Sequence, residues 1–382
     1  MKTHRRIPIR ILDGGLGTTL EDLFNVRFSA QTPLWSSHLL VTSPKLLMAC
    51  QRLFALAGAD VITTATYNFS IEGFADTKTP DFPCGIVEVA RYLRFAILIA
   101  WRARPNIDSD IAISLGPYGA TMQPSTEYSA NYDASHCTTQ QLLEWHTKRM
   151  ACFKDTAAGL TSIKYAFETI PCLNEIYAIK MLFRTPLAKR SVWQPPKTLG
   201  WISCVFPGDD DKLPDGTTAE DAVAAMLSCN DMPGGLSPPY PPWGIGINCT
   251  KVHKLDSLVR KYETTVQGLI DDCHINAWPS LVLYPDGTNG EVYNPVKKTW
   301  ELPKGTKPPE IPWEVQLANV VKGTIRRAKW STILVGGCCK TTPADITRLR
   351  KLLIEPNSRR GASESHGSSE VSGSGSSCWV SI

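Results

Sequence analysis

The chain has 382 residues, of which 43% are hydrophobic and 20% charged, so it can bury a large core and wholesale disorder is excluded. Its net charge of +4 comes from 40 basic and 36 acidic residues, with no dense basic run beyond His4-Arg5-Arg6, which gives no indication of a nucleic-acid or membrane partner. No run reaches the roughly 18 apolar residues of a spanning helix, the N-terminus lacks a secretory signal, and the cysteines are irregularly spaced, so we expect a cytoplasmic protein with reduced thiols.

Short β-branched runs alternate with longer amphipathic segments, which is typical of repeated βα units. The predicted strands are Ile9–Asp13, Asp60–Thr64, Ile111–Leu115, Lys164–Glu168, Leu199–Val205, Gly244–Asn248, Ser280–Tyr284 and Thr332–Val335. The predicted helices are Pro44–Ala57, Gly85–Arg104, Thr139–Gly159, Leu173–Phe183, Ala219–Leu227, Lys254–Thr264, Val315–Lys329 and Pro343–Ile354. This α/β alternation predicts either a closed (β/α)8 barrel, known as a TIM barrel, or a large doubly wound sheet.

Two stretches interrupt the alternation and are predicted to be loop insertions. The first covers residues 208–243 outside the predicted helix Ala219–Leu227, and it contains Asp209–Asp211 and a proline-rich run at Pro238–Pro242. The second is the polar, proline-rich segment Pro303–Pro312. Beyond Glu355 the chain is rich in Ser and Gly, so we expect a single domain over residues 1–355 and a disordered tail over residues 356–382.

Polar and cysteine residues fall at the carboxyl ends of the predicted strands. These groups are Asp13-Gly14-Gly15, Thr66-Tyr67-Asn68, Gly116-Pro117-Tyr118-Gly119, Glu168-Thr169, Asn248-Cys249 and Gly336-Gly337-Cys338-Cys339. In parallel α/β folds this rim is where ligands bind, because its loops vary without disturbing the core. A closed barrel would bring the last strand beside the first and within reach of the sixth, whereas an open sheet would not do so automatically.

Three cysteines on this rim, Cys249, Cys338 and Cys339, are candidates for one metal site. Three thiolates suit zinc, and catalytic zinc sites commonly use three protein ligands and leave a fourth position for water or substrate. Two glycines precede Cys338 and would let the backbone approach closely enough for both adjacent thiols to turn inward. The alternative is that the cysteine pair is accidental and Cys249 is a buried core thiol.

Six sequence elements, in order and spanning nearly the whole chain apart from the tail, resemble those of homocysteine S-methyltransferases. They are Ile11–Gly15, Pro33-Leu34-Trp35-Ser36-Ser37, Ser114–Ala120, Glu168-Thr169-Ile170-Pro171, Gly246-Ile247-Asn248-Cys249-Thr250 and Gly336–Pro343. The resemblance implies a (β/α)8 barrel, a zinc ion held by the three cysteines, and methyl transfer to the thiol of homocysteine, producing methionine. Coordination of the substrate thiol to a cation would make it a thiolate nucleophile at neutral pH.

The resemblance also assigns the residues that bind homocysteine, whose ammonium and carboxylate must be paired when they leave water. It implies that Asp13 and Glu168 receive the ammonium, and that the backbone around Gly14 and the hydroxyl of Thr66 hold the carboxylate. A lone carboxylate on a rim is more often a helix cap or a surface ion pair, so the assignment of the two acids depends on the resemblance.

The methyl donor is expected to be a sulfonium compound, S-methylmethionine or S-adenosylmethionine. The stretch Pro33–Ser37 resembles sulfonium-using members of the family better than betaine-using ones. Trp35, Tyr67, Tyr118 and Tyr128 are candidates to contact the sulfonium through their π faces, with ordinary packing as the alternative. A betaine-dependent enzyme, a non-catalytic zinc or thiol-binding barrel and a zinc hydrolase are alternatives, and the sequence does not indicate the oligomeric state.

Overall fold

The structure is a computed structural model that describes residues 7–29, 32–105, 109–153, 163–183, 200–228, 241–288, 290–294, 299–307, 309–327 and 329–355. Its ten strands are β1 Ile9–Ile11, β2 Val61–Thr63, β3 Asp110–Leu115, β4 Ile163–Ile170, β5 Gly200–Cys204, β6 Gly244–Lys251, β7 Ser280–Asp286, β8 Val292–Asn294, β9 Thr299–Glu301 and β10 Ile333–Val335. Eight of them form one parallel sheet in the order β1-β10-β7-β6-β5-β4-β3-β2, and β8 pairs with β9 in an antiparallel hairpin.

The two ends of this sheet meet, which makes it a barrel. Leu12, directly after β1, forms a parallel bridge with Val61 of β2. The amide of Asp13 donates to the Val61 carbonyl at 3.1 Å, and the amide of Asp60 donates to the Ile11 carbonyl at 2.7 Å. The predicted (β/α)8 barrel is therefore confirmed, and the doubly wound alternative is wrong because no open edge separates β1 from β2.

The predicted helices are found, Ala219–Leu227 with its predicted bounds and the others with shifted ends, together with three that the pattern did not predict. The end of the predicted helix Thr139–Gly159, residues 154–159, lies outside the described residues. In chain order they are α1 Leu16–Phe24, α2 Leu39–Thr42, α3 Pro44–Leu56, α4 Ile71–Asp76, α5 Val89–Ala103, α6 Thr139–Ala151, α7 Leu173–Leu182, α8 Ala219–Leu227, α9 Leu255–Asp271, α10 Trp313–Arg327 and α11 Pro343–Leu353. None of these combines the length and apolar character needed to cross a bilayer.

The strands alternate their side chains between two cores. Those facing the helices include Ile11, Ile62, Ile113, Phe167 and Ile247. A smaller cluster fills the barrel interior and consists of Leu12, Val61, Ala112, Ala166, Trp201, Val282, Tyr284 and Leu334. The indole N–H of Trp201 donates to the Tyr284 hydroxyl at 2.9 Å. The free-energy penalty of burying an unpaired donor is therefore avoided. Alternate residues of each strand point into the barrel, so inward-facing residues at the strand ends meet above this interior cluster.

The predicted insertions fall partly within the described residues. In the described part of the first insertion, an antiparallel bridge pairs Lys212 with Thr218 just before α8 begins. The proline-rich run Pro238–Pro242 lies outside the described residues except for its last two positions. The predicted disordered tail, residues 356–382, also lies outside them.

Candidate active site

A cleft that opens to solvent lies at the carboxyl ends of the barrel strands. Its walls come from the ends of seven barrel strands, all except β5, from the loops that follow several of them, and from the β8–β9 hairpin. Six of the seven site residues expected from the sequence line it: Asp13, Gly14, Glu168, Cys249, Cys338 and Cys339.

Cys249 lies where the regular pairing of β6 is interrupted, and the pairing of β4 is interrupted in the same way around Thr169. The register of β6 against β7 shifts between Asn248 and Lys251, and Cys249 has a φ of 48°, in the left-handed region. The Asn248 amide nitrogen donates to the Cys249 Sγ at 3.2 Å and to the Thr169 hydroxyl at 2.7 Å. The Asn248 oxygen accepts from the Thr169 amide at 2.7 Å. An N–H donor aimed at sulfur favours the thiolate form, so the surroundings of Cys249 suit a metal ligand.

Cys338 and Cys339 lie in a tight loop after β10 that packs against the ends of β1 and β7. The Cys338 amide donates to the Pro285 carbonyl at 2.9 Å, and the Gly337 amide donates to the Asp13 carbonyl at 3.0 Å. A Cβ atom on Gly336 would lie 2.6 Å from the carbonyl oxygens of both Leu12 and Asp13. Only glycine permits this approach, which is the role that the sequence predicted for it.

The three thiols form a cluster that fits a zinc ion. The Sγ atoms of Cys249, Cys338 and Cys339 all lie within 4.8 Å of one another. Those of Cys249 and Cys338 are in direct contact, paired as in a disulfide, and those of Cys338 and Cys339 are 3.9 Å apart. Two thiolates on one tetrahedral zinc, each about 2.3 Å from it, are separated by about 3.8 Å. The three-thiol donor set and the Cys338–Cys339 separation therefore suit zinc, whereas Cys249 and Cys338 would have to be reduced and move apart to share the ion.

Ionisation of this cluster needs a cation. Burial raises the pKa of the Cys339 thiol to about 12, so it remains protonated at neutral pH in the absence of a metal. In the described part of the chain, the three-cysteine cluster is the one group of three or more cysteine, histidine or acidic side chains close enough to share a metal ion.

Two buried carboxyl groups lie on the same cleft. Asp13 is 3% exposed and accepts from the Thr63 amide at 2.7 Å and the Thr63 hydroxyl at 2.9 Å. One oxygen of Glu168 accepts from the Ser114 hydroxyl at 3.1 Å, whereas its Oε1 has no hydrogen-bond partner among the described residues. Burial raises the pKa of Asp13 to about 7 and that of Glu168 to about 8. Both carboxyl groups would be stabilised as carboxylates by a bound cation.

Gly14 and Thr66 are placed differently from each other. Gly14 lines the cleft, and a Cβ atom there would lie 2.7 Å from the Phe54 ring. The Thr66 hydroxyl instead donates to the Ser114 carbonyl at 2.7 Å and contacts the Thr64 hydroxyl at 2.6 Å. Thr66 is buried behind the cleft wall, on which Thr64 and Ser114 lie.

Several aromatic side chains belong to the cleft wall. Trp35, Tyr67 and Tyr128 line it, as expected for residues that could contact a sulfonium. Tyr118 does not belong to the lining, because its ring stacks on His136, with centroids 4.0 Å apart. The structure adds Tyr293 and Trp300 from the hairpin, which the sequence analysis missed because that segment reads as a polar loop.

A buried polar network also escaped the sequence analysis. Glu175 on α7 accepts from the Tyr118 amide at 2.8 Å and pairs with His146 of α6 at 2.9 Å. Arg149, 2% exposed, donates to the Gly116 carbonyl at 2.6 Å and to the Tyr67 carbonyl at 2.9 Å. These bonds fix the loops after β2 and β3 to the helices behind them. No spacing rule predicts such contacts, because the partners come from four separate segments.

Comparisons with known proteins agree with this geometry. A family model described as homocysteine S-methyltransferase matches residues 10–353. The chain is 30% identical to homocysteine S-methyltransferase of Escherichia coli strain K12 over 90% of this chain and 94% of that protein. It is 29% identical to selenocysteine Se-methyltransferase of Brassica oleracea over 93% of this chain and 92% of that one. The metallated form of the homocysteine methyltransferase MmuM from Escherichia coli has the same fold, with a TM-score of 0.61 and 24% identity over 91% of this chain and 96% of that one.

Proposed function

The chain belongs to the homocysteine S-methyltransferase family, and from this premise we propose that it transfers a methyl group from S-methylmethionine or S-adenosylmethionine to the thiol of homocysteine, producing methionine. The observation that carries the proposal is that three clustered thiols and two buried carboxyl groups share one cleft. A non-catalytic barrel is disfavoured because both the thiol cluster and the amino-acid-binding groups are intact.

The proposed metal is zinc, held by Cys249, Cys338 and Cys339. When bound, the ion would lower the pKa of the acceptor thiol and keep it as a thiolate at neutral pH. Three thiolate ligands would leave the zinc site net negative, which disfavours a zinc hydrolase because hydrolysis needs a Lewis-acidic metal. Because the site requires reduced thiols, a reducing compartment such as the cytoplasm is the proposed location.

The remaining residues bind and orient homocysteine. Asp13 and the free Oε1 of Glu168 accept hydrogen bonds from its ammonium, and the backbone at Gly14 holds its carboxylate. Thr66 contributes through Thr64 and Ser114, whose positions its hydroxyl fixes. With the amino-acid end held, the sulfur is directed at the cysteine cluster, and orientation of this kind lowers the barrier to an in-line displacement.

The reaction then needs little proton chemistry from the protein. The acceptor thiol loses its proton to solvent, its sulfur forms a bond to the methyl carbon, and the bond from that carbon to the donor sulfonium breaks. The leaving group is a neutral thioether, so no general acid has to protonate it. Because no general acid is needed, the carboxyl groups of the cleft are available to bind an ammonium.

Donor comparison tests this proposal. Reduced, zinc-loaded protein would be mixed with homocysteine and either S-methylmethionine, S-adenosylmethionine or betaine, and methionine would be quantified. We expect methionine from at least one sulfonium donor and little from betaine. Turnover with betaine alone would contradict the sulfonium assignment.

The metal assignment has its own variants. Cys249→Ala should lose bound zinc and activity together, whereas Cys84→Ala, which removes an exposed free cysteine, should keep both. Full zinc occupancy with unchanged activity in Cys249→Ala would refute the site.

A further inference from the structure

Glu127 is a third buried carboxyl group on the cleft wall, and homocysteine binding does not use it. Its side chain is 7% exposed and lines the cleft, and its Oε2 is buried with no hydrogen-bond partner among the described residues. The carboxyl group is hydrogen-bonded by the Ser125 side chain and by its own backbone amide. A buried carboxylate with an unused oxygen costs free energy unless a ligand supplies the missing donor.

Glu127 lies among aromatic residues of the cleft. Burial is the main cause that raises the pKa of Glu168, and the charge of Asp13 adds to the shift, so those two groups lie near each other. Burial also raises the pKa of Tyr67, Tyr128 and Tyr293, which line the cleft, and the charge of Glu127 adds to each of these shifts. The charge of Glu168 adds to the shift of Tyr67 as well. Glu127 therefore lies among the side chains suited to contact a sulfonium cation.

The loop that carries Glu127 is held firmly in place. The Thr126 amide donates to the Gly119 carbonyl at 2.9 Å, and the Ala130 amide donates to the Thr126 carbonyl at 2.8 Å. The side chain of Asn68, after β2, donates to the Ala120 carbonyl at 2.7 Å. Because these bonds fix the backbone on both sides, the carboxyl group is preorganised toward the cleft and does not need to be recruited from solvent.

The chemistry of the donor supplies what this carboxyl group lacks. Among the described residues, no lysine or arginine is paired with Glu127, and burial raises its pKa to about 7. S-methylmethionine and S-adenosylmethionine each carry an α-ammonium with three N–H donors in addition to the sulfonium. Betaine has a quaternary nitrogen without N–H, so it would leave the Glu127 oxygen unpaired.

Resting on the proposed methyl transfer, we infer that Glu127 binds the α-ammonium of the methyl donor and so selects amino-acid sulfonium donors over donors that lack this group. Glu127 is thus a specificity-determining residue for the donor, as Asp13 and Glu168 are for the acceptor. A site that hydrogen-bonds a substrate group can reject an analogue lacking it by about 10⁴-fold, because its own polar groups are left unpaired.

Two donors that differ only in the ammonium test the inference. S-methylmethionine and its deamino analogue, 4-(dimethylsulfonio)butanoate, offer the same methyl group on the same sulfonium. The measured quantity is kcat/KM for each donor at saturating homocysteine, with the KM of homocysteine determined separately. We expect the unmodified protein to prefer S-methylmethionine by about 100-fold or more.

Glu127→Gln should reduce that preference to less than about 10-fold by raising the KM of S-methylmethionine, and leave the KM of homocysteine within about twofold, since a neutral amide loses the charge-assisted bond. Glu168→Gln is the matched control: it should raise the KM of homocysteine and keep the donor preference.

Equal use of the two donors by the unmodified protein would overturn the inference, even if Glu127→Gln failed to fold. Full retention of the preference in Glu127→Gln, or an effect confined to the KM of homocysteine, would also overturn it. In each case methyl transfer itself would stand. Absence of transfer from every donor to homocysteine would instead refute the proposed function.

Discussion

The ionisation of two residues, Asp13 and Glu168, should govern how the acceptor binds. Their pKa values, raised by burial to about 7 and about 8, lie above the ordinary values near 4. In the empty cleft at pH 6 both groups are largely protonated, and an ammonium binds well only to the carboxylates. Deprotonation must precede or accompany binding, so affinity should rise with pH.

We therefore predict that the Kd of methionine, which carries the same ammonium and carboxylate as homocysteine but no titrating thiol, falls by about tenfold or more between pH 6 and pH 8. Isothermal titration calorimetry would measure it. In Glu168→Gln the affinity should be lower at pH 8 and the slope reduced. A Kd that does not vary with pH in the unmodified protein would contradict ammonium binding by these groups.

A single amide, Asn248, supports Cys249, one of the proposed zinc ligands. It bonds both the amide and the hydroxyl of Thr169 and donates to the cysteine sulfur. Removing such a supporting partner typically costs about 10–100-fold in metal affinity. We predict this loss for Asn248→Ala, measured by zinc competition with a chromophoric chelator. An unchanged affinity would show that the β6 backbone alone positions the thiol.

At the scale of elements, the loop after β10 depends on the glycine that begins it. A methyl group at Gly336 would meet two carbonyl oxygens at 2.6 Å, so the loop would have to move away from β1. We predict that Gly336→Ala lowers the free energy of unfolding by about 2 kcal/mol or more and weakens zinc binding. Urea unfolding and metal analysis would measure the two effects.

Gly268→Ala is the matched control for this change. Gly268 lies inside α9, and a Cβ atom there would meet no other atom within 4 Å. Alanine is favoured over glycine in a helix interior by about 1 kcal/mol, so this variant should be as stable as the unmodified protein or more stable. If both variants behaved alike, close backbone approach would not explain Gly336.

The elements also show what sequence could predict. The eight barrel strands and their main helices follow from apolar runs and amphipathic periods, because burial imposes those periods. Helix α1 was missed because it begins directly after Asp13-Gly14-Gly15, a segment that reads as a rim loop. The hairpin β8–β9 has short strands with mostly exposed residues, so it carries little alternation.

The site was predictable only where it follows strand ends. Asp13, Glu168 and the cysteines lie there and share one cleft, and the family resemblance assigned their roles. Glu127 lies in a long loop without periodicity, and its importance depends on burial and an unpaired oxygen, which only the fold reveals. The left-handed backbone at Thr169 and Cys249, with φ of 60° and 48°, is equally invisible in sequence because neither residue is glycine.

Over the whole molecule, barrel closure is what makes one site from distant segments. Cys249 and Cys338 are 89 residues apart in sequence, and they meet because β7 lies between β6 and β10 in the sheet order. Closure adds the bridge from Leu12 to Val61, which joins the side of the site that carries Asp13 and the cysteine loop to the side formed by β2. An open sheet with the same elements would leave its terminal strands far apart, so fold and function depend on the same closure.

In the proposed function, three cysteines hold zinc and the homocysteine thiol joins them as a fourth ligand. X-ray absorption at the zinc edge, recorded on the reduced, zinc-loaded protein with and without homocysteine, tests it directly. We predict three sulfur neighbours at about 2.3 Å in the free protein and four when homocysteine is bound. A sulfur count that stays at three when homocysteine is bound would contradict activation of the acceptor thiol at this centre.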